Sequence, residues 1–194
     1  MMRAWLSRQC LCWGMALCLL GISGCAALSP GGRSGSLSDR DVETFQRAMA
    51  LLQAEDYHAG IALLTGITDN TRASAIPFIN LAMAYSRIDE LDKAEESLKV
   101  ALEIEPRNPV AHNEYGLLLR RQGRFEEARQ VYQNILQRYP DFALARKNLG
   151  VLCDIYLRDY ECALKAYQAY SAVAPDDEEV RIWIADLEWR VEGT

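Results

Sequence analysis

Apolar residues recur along this chain at spacings of three and four, in segments that themselves recur. One segment reads Phe78-x-x-Leu81-Ala82-x-x-Tyr85, the next His112-x-x-Tyr115-Gly116-x-x-Leu119, and a third Arg146-x-x-Leu149-Gly150-x-x-Cys153. Such spacing lines one face of a helix. Each segment is followed by a second stripe: Ala94-x-x-x-Leu98-x-x-Ala101, then Ala128-x-x-x-Tyr132-x-x-Ile135, then Ala163-x-x-x-Tyr167-x-x-Tyr170. The pattern predicts pairs of helices, with small residues (Ala82, Gly116, Gly150) allowing close backbone approach and bulky ones filling the seam. Ala94, Ala128 and Ala163 stand 34 and 35 residues apart, and Pro106, Pro140 and Pro175 keep the same two intervals. A fixed period in this range marks stacked repeats. The prolines stop each second helix, because proline cannot continue the hydrogen-bond ladder and restricts the residue before it. No strand-like alternation or hairpin signal stands out.

These residues resemble the tetratricopeptide repeat (TPR) family. The resemblance covers residues 75–175 well and implies an all-α solenoid of about four helix-turn-helix repeats, at 41–74, 75–108, 109–142 and 143–176. The first is atypical: Tyr57-His58-Ala59-Gly60 falls where Phe125-Glu126-Glu127-Ala128 stands later, and no proline closes it. Terminal repeats are often atypical. The last repeat has one extra residue between Gly150 and Ala163, which predicts an irregular inter-helix turn. After Pro175, the acids Asp176 to Glu179 suit a helix N-terminus, and Val180, Trp183, Ile184, Leu187 and Val191 keep a helical spacing. Residues 177–191 are therefore expected to form a capping helix over the last repeat.

The N-terminal part has a different character. Residues 1–24 carry Arg3 and Arg8, then an apolar run from Leu11 to Ile22, and no acid. That order reads as a secretory signal, and the run is short for a membrane span, which needs about 20 apolar residues. It closes with Ile22-Ser23-Gly24-Cys25, which resembles the lipobox of bacterial lipoproteins. The resemblance implies cleavage before Cys25 and lipidation of that cysteine; a plain signal peptide with a nearby cysteine is the alternative. Two or more acyl chains hold a protein on a membrane where one does not. Ala26, rather than Asp, follows the cysteine, and in a Gram-negative host the resemblance then points to the periplasmic face of the outer membrane. Residues 25–40 are small and polar beyond the cysteine and read as a flexible tether.

Of six cysteines, only Cys153 and Cys162 lie beyond Cys25. They flank the helix hairpin of the last repeat, where bridged Cα atoms typically stand about 5.5–6 Å apart. An exported protein permits a disulfide between them; two buried free thiols are the other reading. Zinc is not expected, since two thiols without a neighbouring histidine fall short of four ligands.

The formal net charge is −6, and removal of Arg3 and Arg8 with the leader makes it −8. That excludes a general nucleic-acid binder, which needs a basic face. The two histidines, His58 and His112, belong to different repeats. No HExxH, GxSxG or phosphate-cradling glycine loop occurs. The reading is a non-enzyme with no cofactor and no metal.

In a TPR solenoid the first helices line the inner wall of a right-handed superhelix. The resemblance implies a peptide groove here built from Ile76, Ile79, Asn80, Met83, Asn113, Leu117, Arg120, Arg121, Lys147, Asn148 and Val151. This mixture of apolar and basic groups would suit a helix or extended segment with some acidic character. Ile79 and Met83 stand where carboxylate-clamp TPR domains need polar groups, so capture of a terminal carboxylate is not expected. The expected role is a membrane-anchored adaptor or assembly factor for a cell-envelope complex, similar to pilotin-like lipoproteins of pilus secretins or to those of motility or TonB-linked machinery. Its partner would be an envelope protein. Two alternatives stay open. One is a non-catalytic recruiter of a cell-wall hydrolase. The other is a self-assembling lipoprotein, with Trp183 and Trp189 as candidate anchors.

Overall fold

The computed structural model describes residues 36–192. The leader, Cys25 and most of the tether lie outside the described residues. Helices α1 (Asp39–Gln53) and α2 (Tyr57–Thr68) form the first hairpin, α3 (Ile76–Arg87) and α4 (Leu91–Ile104) the second, and α5 (Pro109–Arg121) and α6 (Phe125–Arg138) the third. The fourth pairs α7 (Ala143–Val151), extended by a π-helical segment (Leu152–Leu157), with α8 (Tyr160–Ser171). Helix α9 (Glu178–Glu192) packs on α8 as the cap. No strand occurs among the described residues. Each second helix packs on the next first helix, and the first helices also touch one another from α3 to α5 and from α5 to α7.

Side chains start several of these helices. Ser38, Asp56, Asn108, Asp159 and Asp177 each accept a hydrogen bond from a backbone N–H in the first turn that follows, satisfying donors the helix itself leaves open. The prolines act as the sequence predicts: α4, α6 and α8 end at Ile104, Arg138 and Ser171, shortly before Pro106, Pro140 and Pro175.

Within each hairpin one left-handed residue reverses the chain: Glu55, Asp89, Gly123 and Arg158, with φ of 61°, 65°, 77° and 53°. Their spacing repeats the sequence period. In the first three turns a backbone bond spans five residues, from Asp56, Glu90 and Arg124 N–H to the carbonyls of Leu51, Tyr85 and Leu119. In the fourth it spans six, from Asp159 N–H to Cys153. The extra residue of the last repeat is therefore taken up mainly in the helix before the turn, as a π-helical widening, and not in the turn itself. The turn must keep its left-handed residue and its Asp159 cap to launch α8, whereas a helix can widen locally. Cys153 and Cys162 are joined as a disulfide across this region, with Cα atoms 5.9 Å apart.

The seam inside each hairpin is a matched pair. A Cβ built on Gly116 would stand 2.6 Å from the Tyr132 ring, and one on Gly150 would stand 2.3 Å from Tyr167. Both tyrosines are fully buried. In the second repeat the same position holds Ala82, and the facing residue is the smaller Leu98, in one core cluster with it. Dense interiors demand this exchange of volume.

The cap is pinned at its start. Asp177 accepts from Lys147 Nζ at 2.7 Å and from Tyr170 Oη at 2.8 Å, besides capping α9. Lys147 also lies over the rings of Tyr170 and Trp183, 5.4 Å from each centroid. Trp183 in turn meets Tyr167, ring centroids 5.2 Å apart.

Candidate protein-binding face

The first helices present two apolar rows at the repeat period. Val42, Ile76, Val110 and Leu144, each 34 residues from the next, are 41%, 50%, 41% and 54% exposed. A second row, Met49, Met83, Leu117 and Val151, keeps the same interval, with Met83 exposed and the others half-buried. Isolated exposed apolar residues are ordinary on a surface. An exposed apolar residue at one register of four successive repeats is a continuous feature of the scaffold, of the kind that marks an interaction site. Sequence reasoning found Ile76 in the first row and missed Val42, Val110 and Leu144, although stepping 34 residues from Ile76 would have found them.

Two clefts lie along the second row. One, of about 190 Å³, opens between α1 and α3 beside Met49, Asn80, Met83 and Arg87. The next, of about 230 Å³, lies between α3 and α5, lined by Met83, Arg87, Glu114, Leu117, Arg120 and Arg121. Met83 and Arg87 are common to both. Glu114 is held between opposing influences: burial pushes its carboxyl pKa up, while Asn113 and Arg87 pull it down, and the result is upward.

Several groove residues expected from the sequence are not available to a partner. Ile79 is 4% exposed, packed with Ala75, Phe78, Ala101 and Ala111 in the core. Asn113 is 2% exposed; its side chain donates to Glu114 Oε1 at 3.1 Å and accepts from Asn148 Nδ2 at 2.9 Å. Direct packing of the first helices covers these positions. Lys147 belongs to the pin of the cap helix. Arg121 is spent on the Ser86 carbonyl and on Asp89, 3.0 Å away. Arg120 stacks over Tyr156, 5.5 Å from its centroid. The expected mixed apolar and basic wall is thus mainly apolar in what it offers. Asn80 remains half-buried, its Nδ2 donating to the Ile76 carbonyl. Arg87 is exposed and has no ion pair among the described residues.

Nothing in the arrangement assembles a reaction centre. No group of three or more His, Cys, Asp or Glu that could hold a metal occurs among the described residues. His112 contacts the Pro106 carbonyl through Nε2 at 3.0 Å. No described helix is long and apolar enough to cross a membrane.

Comparisons with known proteins agree with this architecture. Two tetratricopeptide repeat models match, one over residues 79–141 and one over 119–187. A peroxisomal targeting signal receptor of Candida albicans is 37% identical over 75 residues, 39% of this chain and 13% of the relative. Small glutamine-rich tetratricopeptide repeat-containing protein 2 of Mycosarcoma maydis is 29% identical over 117 residues, 58% of this chain and 33% of that protein. The chain thus spans a third or less of these relatives' length. Among solved structures, Pseudomonas aeruginosa pilF superposes with a TM-score of 0.71 at 23% identity, covering 79% of this chain and 69% of pilF. MamA of Desulfovibrio magneticus RS-1 gives 0.68 at 15% identity, covering 81% and 88%. At such identities the likeness is one of fold. With the helix hairpins, their period and both family models in agreement, this chain belongs to the tetratricopeptide repeat family, whose members are protein–protein interaction scaffolds and generally non-catalytic.

Proposed function

We propose that this protein is a lipid-anchored adaptor on the periplasmic face of the outer membrane, which captures an apolar segment of an envelope protein and helps assemble the complex to which that protein belongs. The observation that carries the reading is the exposed row Val42, Ile76, Val110 and Leu144, backed by the second row through Met83. The committed state of Arg120, Arg121 and Lys147 moves the expected partner from acidic toward apolar, with Arg87 and Glu114 as the polar groups left to set register. The fold likeness to pilF fits an assembly role, and the Ile22-Ser23-Gly24-Cys25 motif supports the anchor. A tether of this kind confines the site near the membrane and raises the effective concentration of a partner there. The protein itself performs no catalysis in this reading.

Two experiments test it. Cys25→Ala releases the protein from the membrane fraction with its fold intact; retention in that fraction overturns the anchor. A photo-crosslinker at Val110, Met83, Leu117 or Val151 captures one envelope protein in cells, while one at Glu96 does not. Equal capture from Glu96 would remove the site. A second reading, self-assembly, rests on Ile182 and Trp189 of α9, which are 68% and 77% exposed. It predicts a dimer by light scattering that Trp189→Glu dissociates.

A further inference from the structure

The second helices α6 and α8 do not close on each other. Between them runs a trough of about 600 Å³, separate from the apolar rows of the first helices. Leu136, Leu149 and Ala166 supply its apolar surface. Thirty-five residues before Ala166, at the corresponding position of α6, stands Val131. The smaller alanine leaves room at the last junction.

The rim is basic. Arg129, Arg146 and Lys165 line it against one acid, Asp159, in a chain whose formal charge is −6. Two of these cations are fixed in place. Arg129 Nη1 holds Asp159, the cap of α8, at 3.1 Å, and its Nε–H is buried without a hydrogen-bond acceptor among the described residues. Arg146 donates to the carbonyl of Ala169 near the other end of α8, and to that of Pro140 at 2.6 Å. Its acidic neighbour Asp141, at 3.3 Å, is 86% exposed and therefore well screened by water. Lys165 lies on the bank between them, exposed and with no ion pair among the described residues. The guanidinium groups are thus held near opposite ends of α8, roughly 15 Å apart for ten residues at about 1.5 Å each.

We propose that this trough is a second docking site, for an extended partner segment carrying acid, apolar and acid residues at alternate positions. A strand advances about 3.3 Å per residue and turns residues i, i+2 and i+4 to one face. Acids at i and i+4 then reach the two arginines, and an apolar side chain at i+2 enters above Leu136, Leu149 and Ala166. Charge complementarity of this kind sets register and partner choice. The site shares none of its lining with the first-helix face, so the protein can hold two chains at once, one on each set of helices.

The test is an NMR titration of the full chain, ¹⁵N-labelled and held in detergent micelles, with the blocked peptide acetyl-Glu-Ser-Leu-Ser-Glu-amide. The expected result is shifts at the amides of Gln133, Lys165 and Ala169 and none at Met83 or Leu117. The peptide with both glutamates replaced by lysine binds at least about tenfold more weakly. Ala166→Val fills the trough, and the exposed change Lys165→Glu reverses its bank; each weakens binding about fivefold or more while the thermal midpoint holds. Equal binding of the lysine peptide, shifts confined to the first helices, no shifts at millimolar peptide, or full affinity in Lys165→Glu would each overturn the proposal. None of these results bears on the crosslinks from Met83 or Val110, so the two sites stand or fall separately.

Discussion

The second and fourth repeats fill one scaffold in different ways. The second seats Ala82 against Leu98, turns at Asp89 with a bond spanning five residues, and meets the third repeat through Glu95, which accepts from Arg124 at 3.1 Å. The fourth seats Gly150 against Tyr167 and turns at Arg158 with a bond spanning six. It meets the third through Arg129 and Asp159, with the charges reversed. Glu95 and Arg129 occupy one register, 34 residues apart; Arg124 and Asp159 occupy the other, 35 apart. The repeat therefore fixes where groups must meet, and leaves open which partner is large and which is charged. Each solution is a matched pair, and a change to one member alone breaks it.

The largest effect is expected at the seams. Gly150→Ala places a methyl group inside the Tyr167 ring contact and costs about 3 kcal/mol, as overpacking of a filled core does, measured by urea unfolding. Adding Tyr167→Leu, to copy the second repeat, recovers only part of it, because Tyr167 also meets Trp183. In the third repeat Gly116→Ala with Tyr132→Leu recovers most of the loss. Failure of either rescue would mean the seams are not interchangeable.

Removal of the disulfide comes next. Cys162→Ser lowers stability by about 2–3 kcal/mol, in line with closure of a short loop, and hydrogen exchange rises first in residues 152–157. The second repeat, which has no bridge, keeps its exchange rates. A uniform rise across the chain would show that the π-helical segment is not a local feature.

Smaller still are the ion-pair junctions. Partial burial works to raise the Glu95 pKa, but Gln122, Lys99 and Arg124 outweigh it and hold the carboxyl at about 2, below the ordinary 4.5. Lys147 first, then Tyr170 and the Val180 N–H, bring Asp177 from 3.8 to about 2 as well. A depressed folded pKa contributes stability above the unfolded value, and that contribution is lost as pH falls through the folded one. Stability should therefore fall between about pH 5 and pH 2. Glu95→Gln flattens that limb and costs about 1 kcal/mol at neutral pH, followed by thermal melts across pH. An unchanged acid limb in Glu95→Gln would remove the junction from the account.

The smallest effects lie in the turns. Arg158→Gly relieves a left-handed residue and stabilises by about 0.5 kcal/mol, the strain relief exceeding the entropy glycine adds to the unfolded chain. Gly123→Ala at φ 77° moves the other way by about 1 kcal/mol. Equal responses at the two positions would mean that turn conformation does not limit stability.

The candidate site was partly legible. Ile76, Met83, Leu117 and Val151 fall on the first-helix face because the period places them there, and extension of the same step reaches Val42, Val110 and Leu144. Ile79 and Asn113 share that register logic but are buried. Their fate depends on how closely α3 approaches α5 and α5 approaches α7, and no local pattern states that distance. Arg121 and Lys147 read as free bases in a string of residues. Their partners, Asp89 and Asp177, stand about one repeat away in sequence, where the chain's folding back decides the pairing.

Helix positions, repeat number, the capping helix and the proline stops are properties of short segments: apolar spacing, capping side chains and a missing N–H act within one turn or two. The amino-acid sequence by itself determined these. The tertiary structure decided where the extra residue of the fourth repeat is absorbed, which glycine faces which tyrosine, which cations are already paired, and the trough that Ala166 leaves between α6 and α8. Those outcomes depend on volume and charge contributed by residues roughly one repeat apart, and only the packed array brings them into contact.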